Sequence, residues 1–118
     1  MIVFNRTRGS LLGDRVERAG TFLARSKGLL GRESLREGEG LWIAPCRCVH
    51  TFGMRFPIDV LFLDWEGLVL GLHPNLPSAR ISRYFRRAAG VLELPAGTVL
   101  RTGTARGDLV EILEDGAR

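Results

Sequence analysis

Apolar residues in this chain come in short runs cut by glycine and proline, with no stretch long enough to set up a sustained helical period. β-Branched and aromatic enrichment within those runs predicts strands over residues 2–5, 40–43, 58–64, 68–72, 91–94, 98–101 and 109–113. Between two of them, Asp64-Trp65-Glu66-Gly67 reads as a hairpin turn closed by a glycine at positive φ. Two segments break the strand pattern. Thr21 is placed to cap a helix running to Leu30, with Phe22, Leu29 and the stem of Arg25 on one face and Gly31 as terminator. Ser78 or Ser82 would cap a second helix ending at Gly90, with Ile81, Tyr84, Phe85 and Ala88 on one stripe and Arg80, Arg83 and Arg87 on another. The expected fold class is mainly β, α+β at the margin: a small closed or partly open β-barrel of about seven short strands with one or two short helices.

At 118 residues, 45% hydrophobic and 25% charged, the chain fits a single globular domain spanning residues 1–118. A chain of this size buries about two-thirds of its unfolded surface, enough for a core without disulfides. The longest apolar run is far short of the ~18 residues of a membrane span, so none is expected. The N-terminus turns polar after Phe4, which argues against a secretory leader and for a cytoplasmic protein. Seventeen basic residues against thirteen acidic ones leave a net charge of +4, and Lys27 is the only lysine. The arginines are spread over the whole chain and mark no site, so nucleic acid is not an expected partner. Cys46 and Cys48, one residue apart, are too close for an unstrained disulfide and are expected as thiols.

Residues 46–59 hold most of the reactive side chains. Were 46–50 a strand, Cys46, Cys48 and His50 would point to one face, the ligand types zinc accepts. A second source of ligands would then have to be His73 or a carboxylate such as Asp59. The plainer reading makes the cysteines small core residues and His50 a hydrogen-bonded structural residue. A thiol nucleophile would pair Cys48 with His50 or His73, with Asp59 orienting the imidazole. Asp59 and Glu93 both lie in apolar strand contexts. Each is expected to face solvent by alternation, to form an ion pair with an arginine, or to line a pocket with a shifted pKa.

Arg80 to Arg87 interleave basic and aromatic residues, a composition that suits phosphate backbones and base stacking. A solvated helix face whose apolar stripe docks on the sheet accounts for the same residues and is preferred. The glycines fit neither a Walker A loop nor a dinucleotide fingerprint.

Five ordered segments carry a family resemblance. They are Arg25-Ser26-Lys27-Gly28-Leu29-Leu30-Gly31-Arg32, Gly40-Leu41-Trp42-Ile43, the stretch from His50-Thr51-Phe52-Gly53-Met54-Arg55-Phe56-Pro57-Ile58-Asp59 to Asp64, Val91-Leu92-Glu93-Leu94-Pro95-Ala96-Gly97, and Gly103 with Gly107-Asp108. Over residues 21–113 the chain resembles the bacterial and archaeal family called domain of unknown function 192. It departs from the family's central motif, where Phe56 partly replaces an Asn-Thr. The resemblance implies a compact, mostly β, barrel-like fold and brings no reaction, cofactor or catalytic residue with it. Family members often carry a leader or lipid anchor ahead of the domain; this chain begins almost at the domain, which points away from an envelope role.

The leading expectation is a binding or accessory module for a small polar or anionic ligand, with no cofactor. Its pocket would be edged by His50, Thr51, Met54, Arg55, Asp59 and Glu93. Arg55 and Arg25 would meet an anion, His50 and Thr51 would hydrogen-bond, and Phe52 and Met54 would give apolar contact. The alternatives are a small thiol- or metal-dependent hydrolase using Cys48, His50 and Asp59, and an interaction protein presenting the Arg80–Arg87 face to an acidic partner.

Overall fold

The two most apolar stretches, β5 (Ile58–Leu63) and β7 (Gly90–Pro95), pair antiparallel along their whole length, from Ile58 opposite Pro95 to Leu63 opposite Gly90. The structure, a computed structural model, describes residues 1–114; residues 115–118 lie outside it. β7 also pairs antiparallel with β4 (Glu39–Ile43), and β5 with β6 (Val69–Leu76). β3 (Arg15–Ala19) runs parallel beside β4, reached through the crossover that contains α1 (Phe22–Lys27). The resulting order is β3-β4-β7-β5-β6. A second sheet of β1 (Ile2–Asn5), β2 (Ser10–Gly13) and β8 (Val110–Leu113) has the order β2-β1-β8. The fold is mainly β. Among the described residues the ladders form two sheets, and no closed ring of strands is found. The sheets touch through the Met1–Val16 backbone pair and the Leu68–Leu109 bridge.

Both faces of the larger sheet are covered, because alternate residues of its strands feed two cores. Leu61, Leu63, Leu92 and Leu94 pack with Val3, Leu12 and Val110 of the second sheet. Val60, Phe62 and Val91 pack on the other side with Leu29, Met54 and Ala88, which come from the connections. Two covered faces explain why β5 and β7 read as unbroken apolar runs.

The hairpin at Asp64–Gly67 forms as expected. The Asp64 carboxylate accepts from the N–H groups of Glu66 and Leu68, each at 2.9 Å, and Gly67 takes φ +92°. Its carbonyl accepts from Val110 N at 2.9 Å, and a Cβ there would lie 2.1 Å from the Val110 carbonyl oxygen. The turn is thus pressed against the second sheet.

Three local expectations are corrected. Residues 98–101, read as a strand from their β-branched content, form the short helix α2 (Thr98–Thr102). The reason is tertiary: the buried Asp59 carboxylate on β5 accepts from Val99 N at 2.7 Å, at the start of the helix, and from Asn75 N at 2.7 Å. Residues 78–90 do not form a helix. Their backbone pairs instead with residues 47–51, through Phe85 N to Arg47 O, Ser82 N to Val49 O and Thr51 N to Arg80 O. Helix α1 is capped by the Thr21 hydroxyl as expected, but it ends at Gly28, whose N–H bonds Ala24 O, before the anticipated Gly31. Leu29 is buried; the Phe22 side chain is outside the described residues. Strands β2 and β3 went unpredicted because they are edge strands with little to bury: β3 sends in only Val16 and Ala19.

Two substitutions test this framework. Asp59→Ala is expected to cost about 3 kcal/mol of unfolding free energy, since two buried N–H donors lose a charged acceptor, and denaturant titration measures it. Gly67→Ala should cost more than about 1 kcal/mol, because it adds both a disfavoured φ and a backbone clash.

Candidate functional site

On the α1 side of the large sheet lies a cleft of about 180 Å³. Its walls come from α1 and the turn after it, the end of β4, the connection from β4 to β5, and β7. Ile43, Leu29, Leu30, Val49 and Met54 form its apolar lining, while Arg25, Lys27, Cys46, Cys48 and His50 also border it. Glu93, on β7, supplies the remaining polar group.

Glu93 is there because of register. It sits opposite Leu41 on β4 and Val60 on β5, both members of the core on this face, so the alternation of β7 that buries Leu92 and Leu94 on one side drives Glu93 into the other. It is 5% exposed, and no hydrogen-bond or ion-pair partner for its carboxyl is found among the described residues. Burial alone pushes its pKa up to about 7. Gly28 lies close above it: a Cβ on that glycine would be 3.8 Å from Glu93 Oε1.

The two thiols behave differently. Cys46 is half-buried, its Sγ donating to the Cys48 carbonyl at 3.1 Å; burial raises its pKa and Glu93 adds to the rise. A thiol held in its neutral form is a poor nucleophile. Cys48 is exposed.

The structure thus gathers Arg25, Cys46, Cys48, His50, Met54 and Glu93 of the expected residues around one cleft. Residues 46–50 are not a strand, so loop geometry rather than alternation brings the cysteines and His50 together. No group of three or more His, Cys, Asp or Glu residues that could hold a metal is found among the described residues. Five expected residues lie outside the cleft lining. Thr51 is fully buried, its hydroxyl donating to Pro77 O at 2.6 Å and accepting from Arg80 N at 2.9 Å, so it ties two loops together. Asp59 pairs opposite Leu94, on the far face of the sheet from Glu93, and caps α2; it cannot orient His50. Arg55 is exposed and lies 3.6 Å from Glu33. Phe52 is half-exposed, its ring 5.8 Å from that of His50. His73 lies edge-on to Phe62 and does not line the cleft. Lys27, Gly28, Leu29, Leu30, Ile43 and Val49 are the lining residues that sequence reasoning missed; the first four fall in the Arg25–Arg32 segment that carries the family resemblance.

A larger groove of about 380 Å³ lies between the hairpin and β8. It holds none of the expected residues, and its Asp64 and Glu111 are already bonded, to the turn and to Arg6. No helix among the described residues is long and apolar enough to cross a membrane.

Two packed sheets with an unpartnered acid beneath a loop-walled cleft define a small, mainly β fold of the cleft-bearing kind. The chain belongs to the DUF192 family, described as "Uncharacterized ACR", whose family model matches residues 3–112. No curated protein matches it. Among solved structures it is similar to a protein of unknown function from Novosphingobium aromaticivorans, with a TM-score of 0.82 and 24% identity over 94% of this chain and 83% of that one. It is also similar to a putative transcription regulator from Sinorhizobium meliloti, with a TM-score of 0.77 and 28% identity over 93% of this chain and 89% of that one.

The raised pKa of Glu93 has a signed consequence for stability. The ionised form is disfavoured in the folded state, so stability is full below about pH 4.5, falls as pH rises through about 7, and stays lower above that. Glu93→Gln is therefore expected to stabilise the protein at pH 8, by up to about 3 kcal/mol, and to change little at pH 4.5. Thermal melts of both proteins at the two pH values check it.

Proposed function

We propose that the protein is a small-molecule binding module whose ligand enters the Glu93 cleft. The observation that carries this reading is a buried carboxyl with no protein partner, facing open space. Such a group is costly to keep unless something presents a hydrogen-bond donor to it. The ligand is of the polar class: an N–H or O–H end meets Glu93, and a short apolar body lies against Leu29, Ile43 and Met54. Any anionic end would lie outward, towards Arg25, Lys27 and His50. The two sheets, stitched at Met1–Val16 and Leu68–Leu109, are read here as a partly open barrel with this cleft on its flank. Binding is preferred over thiol or metal-assisted hydrolysis because Asp59, the third member of the Cys48–His50–Asp59 constellation, is committed to α2 on the other face of the sheet.

The cleft has room for about six water volumes, which suits a fragment of six or so heavy atoms. An NMR titration with butyramide, n-butylamine and butyrate, three probes of similar size, tests the reading. Butyramide or the amine should shift the amide resonances of Cys46, Cys48 and Glu93, and Glu93→Leu should abolish those shifts. The reading fails if none of the three perturbs the cleft, or if the Leu variant responds unchanged.

A further inference from the structure

The segment between β6 and β7 was expected to hide its apolar stripe by docking a helix on the sheet. In the fold it does not. Only Phe85 and Ala88 pack inward, Phe85 stacking on Phe62 with ring centroids 4.3 Å apart. Ile81 and Tyr84, the other two members of that stripe, are 71% and 61% exposed. The hairpin places Trp65, 83% exposed, beside Arg86 and Arg87. Arg47 joins the same surface by donating to the Tyr84 hydroxyl at 3.4 Å, and Arg83 lies 5.4 Å above the Phe85 ring.

The charges on this surface are uncompensated. None of Arg47, Arg80, Arg83, Arg86 and Arg87 has a carboxylate partner among the described residues. Arginines elsewhere commonly do, as Arg6 with Glu111 and Arg8 with Asp108. Two acids adjoin one end of the strip, Asp64 and Glu66, and the Asp64 carboxylate is engaged by its own turn. The result is an irregular, exposed strip with five unpaired guanidinium groups and two protruding aromatic rings.

We propose that this strip binds single-stranded nucleic acid without sequence preference. Guanidinium groups track phosphates, and exposed rings offer stacking faces to unpaired bases. Duplex reading is disfavoured, because the strip presents no helix to a major groove and its pairing with residues 47–51 is an isolated bridge rather than a regular two-stranded ribbon. An acidic peptide is disfavoured because Ile81, Tyr84 and Trp65 protrude into solvent, whereas an acidic peptide with apolar anchors would need pockets to receive them. The strip is separate from the Glu93 cleft in residues and chemistry, so this inference does not depend on the binding reading above.

The test is fluorescence anisotropy with a labelled 12-mer of thymidylate, over a range of salt concentrations, using the full chain. Log affinity should fall linearly with log salt, with a slope of roughly −3 if most of the five arginines contact phosphate. The triple variant Arg83→Gln, Arg86→Gln, Arg87→Gln should flatten that slope by about 2. Tyr84→Ala should weaken binding about fivefold or more at an unchanged slope. The control Arg36→Gln, which removes an exposed arginine outside the strip that has no carboxylate partner among the described residues, should leave the slope as it was. Circular dichroism confirms that these surface variants remain folded. The proposal is overturned by an absence of saturable binding at 50 mM salt, or by a slope that responds equally to the control and triple variants. It is equally overturned if polyglutamate of matching charge competes as well as the oligonucleotide while Tyr84→Ala has no effect, an outcome that assigns the strip to an acidic protein segment.

Discussion

Every carboxylate removed from water must be bonded, neutralised or left at a cost, and the central strand pair β5 and β7 places two acids under that constraint. Because both faces of the large sheet are covered, no position on these strands turns to bulk solvent by alternation. Asp59 and Glu93 stand on adjacent strands but on opposite faces, each inside a different core. What happens to each acid organises the surrounding chain.

Asp59 shows the bonded solution. Its two oxygens take one N–H from the β6 end and one from the start of α2, so a single side chain ties three elements and turns a β-prone segment into a helix. Glu93 shows the open solution. The loops on its side leave a cleft above it, with no donor offered from the described residues. The contrast gives the site its meaning. The fold satisfies one acid through backbone N–H groups and leaves its neighbour without a protein partner beside a cleft. Cys46 belongs to the same environment: the burial that raises Glu93 also keeps this thiol protonated.

Much of this was legible in the residues. The apolar runs located the strands β1, β4, β5, β6, β7 and β8, and the Asp-Trp-Glu-Gly turn was readable from its chemistry. The apolar surroundings of Asp59 and Glu93 marked both as unusual, though spacing alone could not say which face of the sheet each occupied or which would find a partner. Edge strands β2 and β3 escaped because a strand that buries two side chains leaves little periodic signal. α2 escaped because its capping carboxylate lies 40 residues away in sequence. The segment at residues 78–90 misled most: its pattern is helical, yet its backbone hydrogen bonds run to residues 47–51, a tertiary preference that local periodicity does not encode. Thr51 reads as a ligand contact for a related reason. A threonine that stitches two loops and one that faces a pocket look alike in a sequence.

The central claim, that Glu93 is buried without a protein partner at the cleft, is tested most directly by the pH titration of its side-chain carboxyl carbon in selectively labelled protein. The account predicts a pKa near 7, well above the ordinary 4.5 of a glutamate. A titration at the ordinary value would contradict it, since it would mean that the carboxyl is hydrated or partnered and that the cleft has no polar anchor.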